Sequence, residues 1–60
     1  MIYEIRLCEW KDATREYVAV GPVVAKEARQ SDAERLAFRL NIENKHKLGD
    51  VKRYMARRVG

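Results

Sequence analysis

The sequence lacks almost every device that staples small chains together. Cys8 is the only cysteine and His46 the only histidine in 60 residues, so neither an intrachain disulfide nor a Cys/His metal site can form. No metal or other cofactor is expected. A lone thiol suits a reducing compartment, so the expected location is cytoplasmic. Serine occurs once, at Ser31, and proline once, at Pro22; the three glycines, Gly21, Gly49 and Gly60, are too scattered to build a phosphate-cradling loop. No apolar run approaches the roughly 20 residues of a membrane span. The stretch MIYEIRLCEW carries charge at Glu4, Arg6 and Glu9, which does not fit a signal peptide. One domain of this size buries only about 60% of the surface its unfolded chain exposes. With no staples to help, self-association as a homodimer is expected to complete the core.

Charge is present but unevenly spread. Residues 1 to 44 hold seven Lys/Arg against eight Asp/Glu, and residues 45 to 60 hold six against one, Asp50. The balance is therefore −1 over the first segment and +5 over the second, for the net +4 of the chain. Such asymmetry points to an acidic partner, either nucleic acid or an acidic protein surface, although a basic end also keeps a small protein soluble.

Two stretches read as strands. In IYEIRLCEW, Tyr3, Ile5 and Leu7 alternate with Glu4, Arg6 and Cys8, the period-two pattern of a half-buried strand. Residues 11 to 14, KDAT, are polar and short enough for a hairpin loop. EYVAVGPVVA is a second β-rich run in which Val18 and Val20 should point inward. Gly21-Pro22 should break it, because proline donates no ladder hydrogen bond. A separate third strand over residues 23 to 28 is the less favoured alternative. The hairpin region is thus residues 1 to 28.

A helix over residues 31 to 44 follows. SDAERLAFRLN presents Ser31 and Glu34 at the spacing of a capping box, with Asp32 at the positive end of the helix dipole. Ala33, Leu36, Ala37 and Leu40 fall at i, i+3, i+4 and i+7, an apolar stripe for packing on the sheet. Phe38 and Ile42 lie about 140° to 180° away from Ala33 and need a different cover. In the tail, KHKLGDVKRYMARRVG, residues Leu48, Val51, Met55 and Val59 share one face at helical spacing. A short basic helix over residues 49 to 59 is therefore expected, apolar toward Phe38 and Ile42 and basic toward solvent. The expected architecture is α+β: a two- or three-stranded antiparallel sheet packed on one helix, followed by that short basic helix.

Catalytic chemistry is thinly represented. Ser31 is better used as a cap than as a nucleophile, no motif links Cys8 to His46, and the carboxylates alternate with basic residues on solvated faces. Only Tyr54, near Arg53 and Arg57, leaves an opening of the kind some ribonucleases use. The reading is a non-enzyme. The residues expected to contact a partner or nucleic acid are Lys45, Lys47, Lys52, Arg53, Arg57 and Arg58 in the tail. Arg6 and Trp10 join them as an anchor pair, if their face of the first strand is open.

The order GPVVA, short connector, SDAERLAFRLN resembles short phage and prophage accessory proteins, in which a β-hairpin precedes a helix bearing a "DAE..A..LN" pattern. The resemblance spans residues 3 to 41. It implies a mobile-element setting in a bacterial host cell and a product that binds host or phage machinery. The sheet-then-helix order is also similar to arm-site DNA-binding domains of phage integrases and to the second half of double-stranded-RNA-binding domains. The latter carry lysines at the helix start, where this chain has Gln30, Ser31 and Asp32, which argues against phosphate binding there. Two functions compete. The first is a regulatory protein, adaptor or inhibitor, docking on a nucleic-acid-processing complex such as a CRISPR effector. The alternative is direct, low-specificity DNA or RNA binding through the basic tail.

Overall fold

A computed structural model describes residues Met1 to Gly60. Strand β1 (Tyr3–Lys11) and strand β2 (Glu16–Glu27) form a hairpin, followed by helix α1 (Gln30–Glu43), a single turn α2 (Lys45–Leu48) and strand β3 (Lys52–Arg58). The sheet is antiparallel in the order β2-β1-β3, so the chain crosses by way of α1 from one edge of β1 to the other. The fold is α+β, a three-stranded antiparallel sheet packed on one helix, as the sequence led us to expect.

The hairpin loop is Asp12 to Arg15, one residue later than expected, with Arg15 in the left-handed region at φ 53° and its N–H bonded to the Lys11 carbonyl at 2.7 Å. β2 does not break at Gly21-Pro22. It has 12 residues against the 9 of β1, and the surplus is absorbed in bulges where Ile5, Arg6 and Cys8 face Ala25, Val23 and Ala19. Pro22 is tolerated because β2 is an edge strand. Gly21 is required by proximity, since a Cβ there would lie 3.1 Å from the Leu7 Cβ. The expected burial of Val18 and Val20 does not occur, and both are exposed. Val18 pairs with Glu9 far along the hairpin from Ile5, and Val20 lies in the bulged stretch, with no partner in the register.

The core lies between α1 and the start of the sheet. Ile5, Ala33 and Ala37 are buried, and Leu36, Leu40, Tyr54 and Ala56 pack around them half-buried. The stripe Ala33, Leu36, Ala37, Leu40 therefore faces the sheet as its spacing requires. The capping box does not form. Only Ala28 and Arg29 connect β2 to α1, so the helix begins at Gln30, with Arg29 as a cap that supplies no side-chain bond. Ser31 falls inside the first turn, and the Glu34 carboxylate accepts from the Gln30 amide at 3.1 Å.

The tail departs most from expectation. The short helix after α1 is residues Lys45–Leu48, and the segment expected to be helical over 49 to 59 is strand β3. Gly49, at φ 66°, ends the turn, and the chain then pairs along the free edge of β1 from Glu9↔Lys52 to Tyr3↔Arg58. In this segment Tyr54 and Ala56 satisfy period two as well as Met55 and Val59 satisfy a helical spacing. The unpaired backbone groups of β1 decide between them, because a strand satisfies them and a helix cannot. Phe38 and Ile42 consequently stay uncovered, at 66% and 60% exposure.

Asn41 ties α1 to this strand. Its side-chain N–H donates to the Tyr54 carbonyl at 3.0 Å, and the Tyr54 N–H donates to Asn41 Oδ1 at 2.6 Å. The amide thus mimics a neighbouring strand and closes part of the β3 edge. Asn41→Ala should lower stability by about 1–3 kcal/mol through two orphaned backbone groups. Comparing urea unfolding midpoints checks this, and an unchanged midpoint would show that water replaces the clamp at no cost.

Candidate functional site

The sheet has a second face, opposite α1. Cross-strand pairing puts Glu4, Arg6, Cys8 and Trp10 of β1 on it, beside Tyr17 and Ala19 of β2 and Arg53, Met55 and Arg57 of β3. The alternation that turns Tyr54 and Ala56 toward α1 is what turns Arg53 and Arg57 here. Tyr54 is thereby separated from both arginines by the thickness of the sheet, which removes the side-chain grouping that the sequence suggested for them.

Tyr17 is the hub of this face. Trp10 packs edge-on against its ring at 5.2 Å between centroids, and the Arg53 guanidinium lies 5.6 Å from the ring centre. The Arg57 guanidinium donates to the Tyr17 carbonyl. Both arginines start on β3 and end on β2, so they pass over the central strand, and Cys8 beneath them is fully buried. Such contacts hold the guanidinium groups in place before any ligand arrives, at about 0.5–1 kcal/mol for an exposed cation–π pair. Trp10 is neither an open anchor nor part of the α1 core. It is half-buried, and its indole N–H donates to Asp12 at 2.8 Å.

A cleft of about 260 Å³ adjoins this face where α2 meets β3. Tyr17, Asn41, Lys45, Lys52 and Arg53 line it, with Asp50 as the acidic member. The structure therefore gathers Lys45, Lys52, Arg53 and Arg57 around Tyr17, with Trp10 alongside. It leaves Lys47 apart on the exposed turn α2, and Arg58 at the far end of β3 opposite Tyr3.

The electrostatics separate these residues further. The ion pairs of the chain are Arg6–Glu4 at 3.6 Å, Lys11–Glu9 at 2.7 Å and Lys26–Glu4 at 3.9 Å. Arg6 is thus partly neutralised, whereas none of the six tail cations forms an ion pair. Lys11 holds the Glu9 carboxyl below its ordinary range, first by its hydrogen bond and then by its charge, and Lys52 across the strand pair adds a smaller contribution.

No known protein family, curated protein or solved structure matches this chain. Its own geometry is what speaks for it: fixed guanidinium groups, exposed lysine ammoniums and a partly buried aromatic pair, a combination suited to carboxylates or phosphates. From the sequence, Tyr17 is one of four aromatics, with Tyr3, Trp10 and Tyr54, able to stack on a base or anchor an interface, but it is not among the expected contact residues. Its signal was the hairpin, since a four-residue loop after Lys11 pairs Trp10 with Tyr17 directly.

Proposed function

We propose that this chain is a non-catalytic regulatory binding protein of phage or mobile-element origin. It docks through the Tyr17-centred basic face and the adjoining cleft on an acidic surface of a host or phage nucleic-acid-processing complex. It acts there as an adaptor or inhibitor, for example of a CRISPR effector, in the bacterial cytoplasm. The observation that carries this reading is that all six tail cations lack an ion-pair partner, while Arg53 and Arg57 are anchored across the sheet. The phage-like order of residues 3 to 41 supports the setting. No helix is long and apolar enough to cross a membrane.

A second reading, direct and weakly selective DNA or RNA binding, is favoured by the juxtaposition of Arg53, Tyr17 and Trp10, since bases stack on aromatic rings flanked by cations. Two features weigh against it. The Trp10 and Tyr17 rings are already packed on each other, and Glu4 puts a carboxylate on the same face. A mixed-charge face suits an acidic protein surface better than a row of phosphates.

The test is capture from a bacterial lysate with the tagged chain, with and without nuclease. The docking reading expects the same protein to be retained after nuclease treatment. Capture that vanishes with nuclease would replace it by the second reading.

A further inference from the structure

Helix α1 keeps a second apolar strip that the fold does not cover. Phe38 and Ile42 lie one turn apart and are mostly exposed, and Phe38 borders a shallow depression with Tyr54 and Ala56 of β3. We propose that this strip joins two copies of the chain, with their α1 helices packed antiparallel about a two-fold axis.

Self-complementarity points to a second copy. Glu34, Phe38 and Ile42 fall within about 80° of one another on a helical wheel of 100° per residue, and Lys45 opens α2 two residues beyond the end of α1. In an antiparallel pair, opposed residues have numbers of nearly constant sum. Phe38 then meets the partner's Ile42, and Glu34 near the start of the helix meets the partner's Lys45 just past its end. The strip is apolar at its centre, with opposite charges at its two ends. The other exposed cations of α1, Arg35 and Arg39, lie to the side beside Glu27 and Asp32, where their charge is balanced away from the axis.

The sheet edges are poorer routes to the same end. Asn41 occupies the Tyr54 backbone groups on the β3 edge, and Pro22 and the bulges twist and interrupt the β2 edge, devices that discourage strand pairing. The need for further burial is real, because only five of 60 residues are buried, two of them alanines. A contact built on one helix face falls short of the roughly 800 Å² per partner of a standard interface, so dissociation on the order of micromolar or weaker is expected.

Sedimentation equilibrium on the full chain tests this. Mass should rise from 7.1 kDa toward twice that value with concentration. Phe38→Glu should raise the dimer dissociation constant at least about tenfold while leaving the circular dichroism spectrum unchanged. Glu34→Lys and Lys45→Glu should each weaken the dimer about threefold or more by opposing like charges, and the two together should restore it. A parent chain that stays monomeric into the high micromolar range overturns the proposal, and so does a dimer indifferent to Phe38→Glu. Should Phe38→Glu unfold the chain, the charge exchange decides: failure of the double variant to recover rejects the antiparallel arrangement.

Discussion

Ile5→Ala should leave the chain largely unfolded. Ile5 has no exposed surface and sits among four alanines: Ala25 and Ala56 are its cross-strand partners, and Ala33 and Ala37 meet it from α1. The small neighbours let the helix approach the sheet closely, and the Ile5 side chain fills the space between them. Truncating it costs about 2–5 kcal/mol, because transfer energy is lost and a cavity remains. At about 0.05–0.15 kcal/mol per residue, the whole domain has only about 3–9 kcal/mol in reserve. Val24→Ala on the exposed side of β2 is the control and should stay within about 0.5 kcal/mol of the parent. Urea unfolding followed by circular dichroism compares the two. Equal midpoints would mean that the centre of the core lies elsewhere.

Lys52, Arg53 and Arg57 changed together to Gln should produce the largest loss of binding. For docking on an acidic protein, removal of three charges should slow association about tenfold or more and flatten its salt dependence, while Trp10→Ala acts mainly on dissociation. For direct binding to nucleic acid, affinity for unrelated sequences should fall together, and the slope against salt should drop by about 0.7–0.9 for each phosphate that is no longer neutralised. The change also removes the cation–π pairing of Arg53 with Tyr17 and the Arg57–Tyr17 hydrogen bond, so stability should fall by about 1–2 kcal/mol. Lys45, Lys47 and Lys52 changed to Gln make a companion variant of equal charge that spares both of these Tyr17 interactions. Salt titrations of both variants against captured protein, random DNA and RNA separate charge from scaffold. Unaltered binding to all of them would reduce the basic face to a solvated surface.

Part of the candidate site was legible in the sequence. Charge counting alone picks out Lys45, Lys47, Lys52, Arg53, Arg57 and Arg58 as the basic end. It cannot say which of them act together, because a helix and a strand distribute the same residues differently. As a helix, the tail would have put its cations on a face opposite Leu48 and Met55. As strand β3, it sends Arg53 and Arg57 to Tyr17 and separates them from Tyr54. Arg6 was legible as a cation on the same face, but its neutralisation by Glu4 depends on side-chain geometry.

What the sequence determined by itself rests on local periodicity. The alternation of Tyr3, Ile5 and Leu7 makes β1 a strand, and the spacing of Ala33, Leu36, Ala37 and Leu40 makes α1 a helix with its sheet-facing side chosen. In both cases many residues agree on one period, so the nearest neighbours along the chain suffice. The tertiary structure decided what was locally balanced. It drew residues 52 to 58 into a strand, because the open edge of β1 offered backbone partners that a helix would have left unsatisfied. It started α1 at Gln30 and bypassed the Ser31 cap, because only Ala28 and Arg29 carry the chain from β2 into α1. It curled β2 around β1 through the bulges at Gly21 and Pro22, where the sequence alone showed only a break. Each of these choices was set by distant backbone groups needing partners, and no local pattern records where those partners will be.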